Sequence, residues 1–221
     1  YTKLHMINLE DFFGSSSPLK AMLGGYQPRQ GQAKMAEEVA YAIKENQNLV
    51  IEAGTGIGKT FAYLVPALLS GQKIIISTGT KTLQDQLYHR DLPLISKAIG
   101  RPLSTALLKG RSNYLCLNRA KLATSNDKYI ARDLKLVNQW LHQTIVGDRS
   151  ELIDISETSS VWPMVTSTID NCLGRKCPEY NDCHVVKARK NAQESDLVVI
   201  NHHLLLADLT IKDEGFAEFL P

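Results

Sequence analysis

Apolar positions along the chain come in two rhythms. Met35, Val39 and Ile43 recur at four-residue spacing and predict a helix reaching about Asn46. Leu49-Val50-Ile51 is a short apolar run leading straight into a glycine loop, and it predicts a buried parallel strand. Phe61 to Leu69 predicts a helix with a kink at Pro66. Lys73 to Ser77 predicts a second strand, Leu103 to Leu108 a third, and Leu197-Val198-Val199-Ile200 a fourth. Between them, Thr80 suits the N-cap of a helix over Lys81 to Arg90.

Strands alternating with helices predict an α/β fold, a parallel sheet with helices on both faces. The stretch from Gly110 to Lys190 breaks this rhythm. It holds all four cysteines, an amphipathic run from Tyr129 to Leu141, and a Ser/Thr-rich linker near Ser156 to Ser160. It reads as an insertion between two core strands. Residues 1–25 are weakly patterned, with Gly14-Ser15-Ser16-Ser17-Pro18 and Gly24-Gly25 as breakers. The expected organisation is therefore an N-terminal extension (1–25), a first part of the core (26–109), the insertion (110–190), and a return to the core (191–221).

Composition adds little until charge is placed along the chain. The net charge of the 221 residues is only +2. From Lys97 to Lys135, however, nine Lys or Arg face two acids, Asp127 and Asp133. Cys172 to Lys190 carries five basic residues and two acids, while Asp208 to Glu218 is acidic. Such runs are by default solvated helical faces; the sharper reading is a basic surface for nucleic acid. No stretch approaches the roughly 18 apolar residues of a membrane span. Tyr1 to Phe13 has no basic n-region followed by an apolar run. A cytoplasmic location and no membrane partner are expected. In a reducing compartment, four cysteines are ligands or free thiols rather than disulfides.

Residues 53–60 read Ala-Gly-Thr-Gly-Ile-Gly-Lys-Thr, the P-loop pattern with Ala53 in place of the first glycine. Gly54, Gly56 and Gly58, with Thr55 and Ile57 between them, form a turn whose backbone N–H groups cradle phosphate. The helix that follows adds its positive end. Lys59 is placed to reach the β- and γ-phosphates of ATP, and Thr60 to hold Mg²⁺. Kinases, GTPases, transporters and helicases share this loop, so the rest of the chain must discriminate.

Cys116 stands alone, and Cys172, Cys177 and Cys183 follow as a local group. Four soft thiolates suit zinc or an iron–sulfur cluster. One remote ligand and three local ones are less like a zinc ribbon, whose ligands usually come in two close pairs. The spacing alone leaves both metals open.

Gln32, then EAGTGIGKT (52–60), ISTGTKTLQDQL (76–87), KGRSNYLC (109–116), the three clustered cysteines and SDLVVINHHLLLAD (195–208) occur in this order. Together they resemble the first motor domain of DinG/XPD-like helicases, most of all the YoaA branch, over residues 26–221. The resemblance implies a RecA-like core in a superfamily 2 enzyme that uses ATP and Mg²⁺, carries a [4Fe–4S] cluster, and unwinds DNA 5′ to 3′. It puts Cys116, Cys172, Cys177 and Cys183 on the cluster ligands and Arg29 and Gln32 on the adenine side of the nucleotide. Ser77, Thr78, Thr80 and Gln84 fall on a motif that contacts the single-strand backbone, and Lys109 and Arg111 lie in the basic insertion as further DNA candidates. The implied partners are single-stranded or forked DNA and a replisome or repair protein such as the polymerase III chi subunit. The family's Asp-Glu-Ala-His box is expected just past Pro221, so residues 1–221 alone are expected to bind nucleotide and DNA without hydrolysing ATP or unwinding. Two readings from other classes compete: a nucleotide-binding redox sensor, and a zinc-stapled nucleic-acid-binding module. Tyr114, Tyr129 and Trp140 are candidates for base stacking, with a core role more usual. His202 and His203 end a core strand, where capping and packing are the expected roles rather than metal binding.

Overall fold

The computed structural model describes residues 8–213, with side chains to residue 210. The first seven residues of the N-terminal stretch and residues 214–218 of the acidic run lie outside the described residues. The chain divides into two compact units. One runs to Ala106 and takes in Ser195–Asn201; the other holds Leu107–Glu194 and continues from His202.

The first unit comprises helices α1 (Leu9–Phe13), α2 (Leu19–Met22), α3 (Gln30–Lys44), α4 (Lys59–Leu69), α5 (Lys81–Gln86) and α6 (Leu92–Ile99). Its sheet has three strands, β1 (Ile74–Thr78), β2 (Thr105–Leu107) and β3 (Leu197–Asn201), in the order β1-β3-β2. β1 pairs in parallel with β3, from Ile74 opposite Leu197 to Thr78 opposite Asn201. The central position of β3 explains its unbroken apolar run: Leu197, Val198, Val199 and Ile200 are all fully buried. This is the parallel α/β architecture that the alternating pattern predicts.

Three elements differ from expectation. Leu49-Val50-Ile51 takes no regular secondary structure and joins no sheet among the described residues, and Val50 is 97% exposed. An apolar run makes a strand only where a neighbouring strand can take up its backbone hydrogen bonds, and this one pairs with no strand among the described residues. The helix expected over 81–90 continues instead to Ile99 through a π-helical turn over Leu87–Asp91. Pro93, at the start of α6, has no N–H to donate back one turn, and the wider turn absorbs that break in the ladder. Finally, the described part of the N-terminal stretch, from residue 8, is more than an unpatterned extension. Phe12, Phe13 and Leu19 are at most 1% exposed, α1 packs on α3, and α2 packs on α6. Thr80 accepts from the Leu83 N–H as the N-cap of α5, as expected.

In the second unit lie α7 (Leu117–Leu122), α8 (Lys128–Leu141), α9 (Trp162–Val165), α10 (His184–Glu194) and α11 (His202–Asp213). Asp127 caps α8 by accepting from Tyr129 and Ile130 N–H, and Leu134, Val137 and Trp140 form its buried stripe. These pack with Leu115, Ala120, Ile155, Val161, Trp162 and Val165 into one apolar core. Tyr114 and Trp140 belong to the interior, whereas Tyr129 is 78% exposed. The segment bearing three cysteines, residues 167–183, is mostly turns, with one short 3₁₀ stretch at Gly174–Lys176. No helix among the described residues is long and apolar enough to cross a membrane.

Candidate nucleotide site and cysteine cavity

The P-loop sits between the irregular segment 49–52 and the first residue of α4, Lys59. Gly58 precedes that residue with φ +87°, a left-handed conformation that glycine adopts freely. There is also no room for a side chain, because a Cβ on Gly58 would overlap the amide of Gln32. Gln32 lies in the first turn of α3, is 3% exposed, and donates from Nε2 to the Gly58 carbonyl at 3.0 Å. Arg29, the residue before α3, donates from Nη1 to the Gly56 carbonyl. Two side chains from the α3 start thus grip two loop carbonyls. Lys59 folds back over the loop, its Nζ donating to Ala53 O and Gly54 O, each at 2.9 Å.

Thr60 follows on the same turn. Tyr63, one turn further along α4, has its phenol pushed above the usual tyrosine range chiefly by burial and next by the nearby Asp91 carboxylate, against a lowering hydrogen bond with Thr60. Asp91 is buried, paired with Arg90 at 2.9 Å and with the Gln86 amide at 3.5 Å.

Ser77 and Thr78 end β1, half-buried, and Thr78 Oγ1 donates to Thr80 O at 3.1 Å. Thr80 is exposed, with its hydroxyl committed to the α5 cap. Two of the DNA candidates are buried. Gln84 is fully buried and ties α5 to the sheet by donating from Nε2 to Val199 O at 3.3 Å. Lys109 is buried too, its Nζ 2.7 Å from an Asp148 carboxylate oxygen. Both look like surface residues in a sequence, yet each satisfies a buried polar group.

Cys116, Cys172, Cys177 and Cys183 line a single cavity of about 480 Å³ in the second unit, brought together by the start of α7, the 167–183 segment and the start of α10. The walls also present Arg111, Arg119, Arg175, Arg189 and Lys190. Arg111 Nη1 donates to Cys172 Sγ at 2.8 Å, and the Gly174 N–H reaches the same sulfur at 3.4 Å. Burial is the main cause that raises the Cys116 thiol above its ordinary range, against a hydrogen bond from the Arg119 backbone, and the other three sulfurs add to the rise. Burial, helped by Arg111, lowers the Arg189 guanidinium, and Cys172 and Cys183 oppose that shift. Nε of Arg111 and of Arg119 are buried without a hydrogen-bond partner among the described residues. No three His, Cys, Asp or Glu side chains among the described residues converge closely enough to hold a single metal ion. His202 and His203 are exposed at the start of α11.

A parallel α/β core with a P-loop closing onto α4 is what motor ATPases carry, and the DEAD/DEAH box helicase family model matches residues 30–155, more than half of the chain. The chain belongs to that family. Among its relatives, the ATP-dependent DNA helicase YoaA of Escherichia coli K12 is 52% identical over 217 residues, covering 96% of this chain and 34% of its own length. The ATP-dependent helicase DinG of Mycobacterium tuberculosis H37Rv is 38% identical, covering 85% of this chain and 32% of its own. A Bacillus subtilis DinG, named as a 3′-5′ exonuclease, is 37% identical, covering 88% and 22%. The chain spans about a third of the length of the helicases it matches.

The Tyr26 hydroxyl, six residues before Gln32, donates to Phe13 O at 3.1 Å and lies 3.4 Å from Gln32 Oε1.

Proposed function

We propose that this chain supplies the nucleotide site and an iron–sulfur insertion to an ATP-dependent DNA helicase that moves 5′ to 3′. The observation that carries the reading is the braced P-loop, with Lys59 on the loop side of α4, in a chain 52% identical to a named ATP-dependent DNA helicase. On nucleotide binding Lys59 exchanges the Ala53 and Gly54 carbonyls for the β- and γ-phosphates. Thr60 offers its hydroxyl to Mg²⁺, and the loop N–H groups bind phosphate oxygens. Ser77, Thr78 and Thr80 stand at the strand end proposed to follow the DNA backbone. Exposed Tyr129 remains available for stacking on a base.

The four thiols suit a [4Fe–4S] cluster better than one zinc ion. Zinc draws four sulfurs to about 2.3 Å from one centre. A four-iron cluster takes each thiolate on a different iron, so its ligands line a cavity, as Cys116, Cys172, Cys177 and Cys183 do. The guanidinium groups around it offset the negative charge of four thiolates. Bound there, the cluster would supply cross-linking and one-electron chemistry. Replacing Cys172 by serine is expected to remove most iron and the visible charge-transfer absorption from anaerobically purified protein. Residues 167–183 should then lose hydrogen-exchange protection before the Trp140–Trp162 core does, because turn-rich segments depend on their metal for folding free energy. Stoichiometric zinc without iron would sink the cluster assignment.

We further propose that residues 1–221 alone bind ATP and single-stranded DNA without turnover. No Asp-Glu-Ala-His sequence occurs among them to hold Mg²⁺ and orient water, and ground-state binding alone does not raise turnover. Phosphate release by these residues should match the blank with and without single-stranded DNA, while the full-length protein is stimulated by DNA. Lys59-dependent turnover by residues 1–221 would overturn this.

A further inference from the structure

Gly147 lies at a bend where two parts of the second unit meet one backbone position. Its φ of +71° is in the left-handed region, which glycine enters freely. Its carbonyl accepts from the Leu115 N–H at 2.8 Å, and the next residue, Asp148, bridges antiparallel to Tyr114. Its N–H donates to Thr144 Oγ1 at 2.7 Å, and that hydroxyl donates to Glu151 Oε2 at 2.7 Å, so the bend is pinned on both sides. The Cα of Gly147 faces the His184 ring, and a Cβ there would overlap Cγ, Cδ2 and Nδ1 of the imidazole. Cγ gives way only if χ1 changes rotamer or α10 shifts, and with His184 6% exposed there is little room for either.

Each of these contacts lands beside a cysteine. Leu115 precedes Cys116, His184 follows Cys183, and both thiols line the same cavity. Cys116 is held further, its N–H donating to Val165 O at 2.8 Å and its carbonyl accepting from Ala120 N at 2.8 Å as α7 begins. The Cys183 carbonyl accepts from Lys187 N at 3.0 Å in the first turn of α10, a helix whose Val185 and Ala192 are buried. The backbone bonds around Cys177 are local turns instead, such as Cys177 N to Gly174 O at 3.1 Å. Two of the four thiols therefore stand on packed elements, and Gly147 is the spacer between those elements. A spacer one methyl group wider would push the start of α10 away from Leu115, and Cys183 away from Cys116.

We propose that Gly147 and His184 are positioning residues for the cysteine site. Their contact sets the distance between Cys116 and Cys183 before any metal binds, and Cys172 and Cys177 close on that pair afterwards. The proposal rests on the iron–sulfur reading of the four thiols.

The test is the rate at which full-length, anaerobically purified protein loses iron to a chelator, followed by its visible charge-transfer absorption. The proteins are the wild type, Gly147→Ala, His184→Ala, the double variant and Cys172→Ser. Hydrogen exchange over the Trp140–Trp162 core shows in each sample that the second unit is folded. Gly147→Ala should release iron about tenfold faster than the wild type, as expected for a residue that supports a metal ligand. His184→Ala leaves every backbone bond of Gly147 in place and should release iron faster by a smaller factor. The double variant should be slower than Gly147→Ala, because removing the ring makes room for the methyl group. Rate factors that simply multiply, as for independent sites, would overturn the proposal. Wild-type release in either single variant would overturn it as well, so the test stands on His184→Ala if Gly147→Ala does not fold. A contact serving only the fold would lower core protection and leave the release rate of folded molecules unchanged, which also counts against the proposal. Undiminished iron in Cys172→Ser would instead remove the cluster reading beneath it.

Discussion

Replacing Lys59 by alanine in the full-length protein is expected to lower DNA-stimulated ATP hydrolysis on the order of a hundred- to a thousandfold and to abolish unwinding, with the fold retained. Phosphoryl transfer places its developing charge on the transferring group, and a preorganised cation there is worth about that factor. The structure says why stability should not follow activity down. Among the described residues the ammonium of Lys59 bonds the carbonyls of Ala53 and Gly54, and Gly54 is exposed, so water replaces the lost donor there. The change in unfolding free energy should stay within about 1 kcal/mol. The gripped Gly56 and Gly58 carbonyls are untouched, so the loop should keep its shape. Steady-state phosphate release, paired with a thermal unfolding curve, makes the comparison. Near-normal turnover in a folded variant would remove Lys59 from the mechanism and with it the assignment of the loop.

The chemistry of this chain is more legible in its sequence than the packing that supports it. Gly-Lys-Thr after a glycine-rich turn announces a phosphate site because few other functions need that pattern. The run Leu197 to Ile200 announces a central strand because only burial on both faces tolerates four apolar residues in succession. Leu49-Val50-Ile51 carries the same kind of signal and yet pairs with nothing described. A strand is a property of two segments, and a one-dimensional pattern shows only one of them. Phe12, Phe13 and Leu19 escape notice for the opposite reason: their neighbours are glycine, serine and proline, and too few apolar positions fall in register to show a period. Gln84 and Lys109 illustrate a third difficulty. Polar residues beside a nucleic-acid motif invite a ligand role, but each is buried on a protein oxygen, Val199 O and an Asp148 carboxylate.

Lys109 carries the largest expected effect on stability. Its side chain is 3% exposed, that of Asp148 is 11% exposed, and the pair is 2.7 Å apart. Asp148 also accepts from Ser150 N at 2.9 Å and Ser150 Oγ at 2.8 Å, and it bridges to Tyr114, whose hydroxyl accepts from Lys109 N at 3.0 Å. The pair therefore fastens the segment entering the second unit to the turn after α8. Removing one partner of a buried ion pair leaves the other charge in a poor dielectric, and such losses run to about 3–5 kcal/mol. Lys109→Met should lower the stability of the second unit by that order. The signal is clean, because both tryptophans of the chain, Trp140 and Trp162, lie in that unit's apolar core, so their fluorescence in a denaturant titration reports it alone. Adding Asp148→Asn to Lys109→Met should recover part of the loss, since the stranded charge is gone while the amide oxygen can still accept from Ser150. If Lys109 were instead a DNA contact, the single variant would unfold like the wild type. It would also reduce the salt dependence of single-strand binding by about one unit of slope. A wild-type denaturation midpoint combined with a reduced slope would return Lys109 to the DNA surface; a lowered midpoint with an unchanged slope is the expected result.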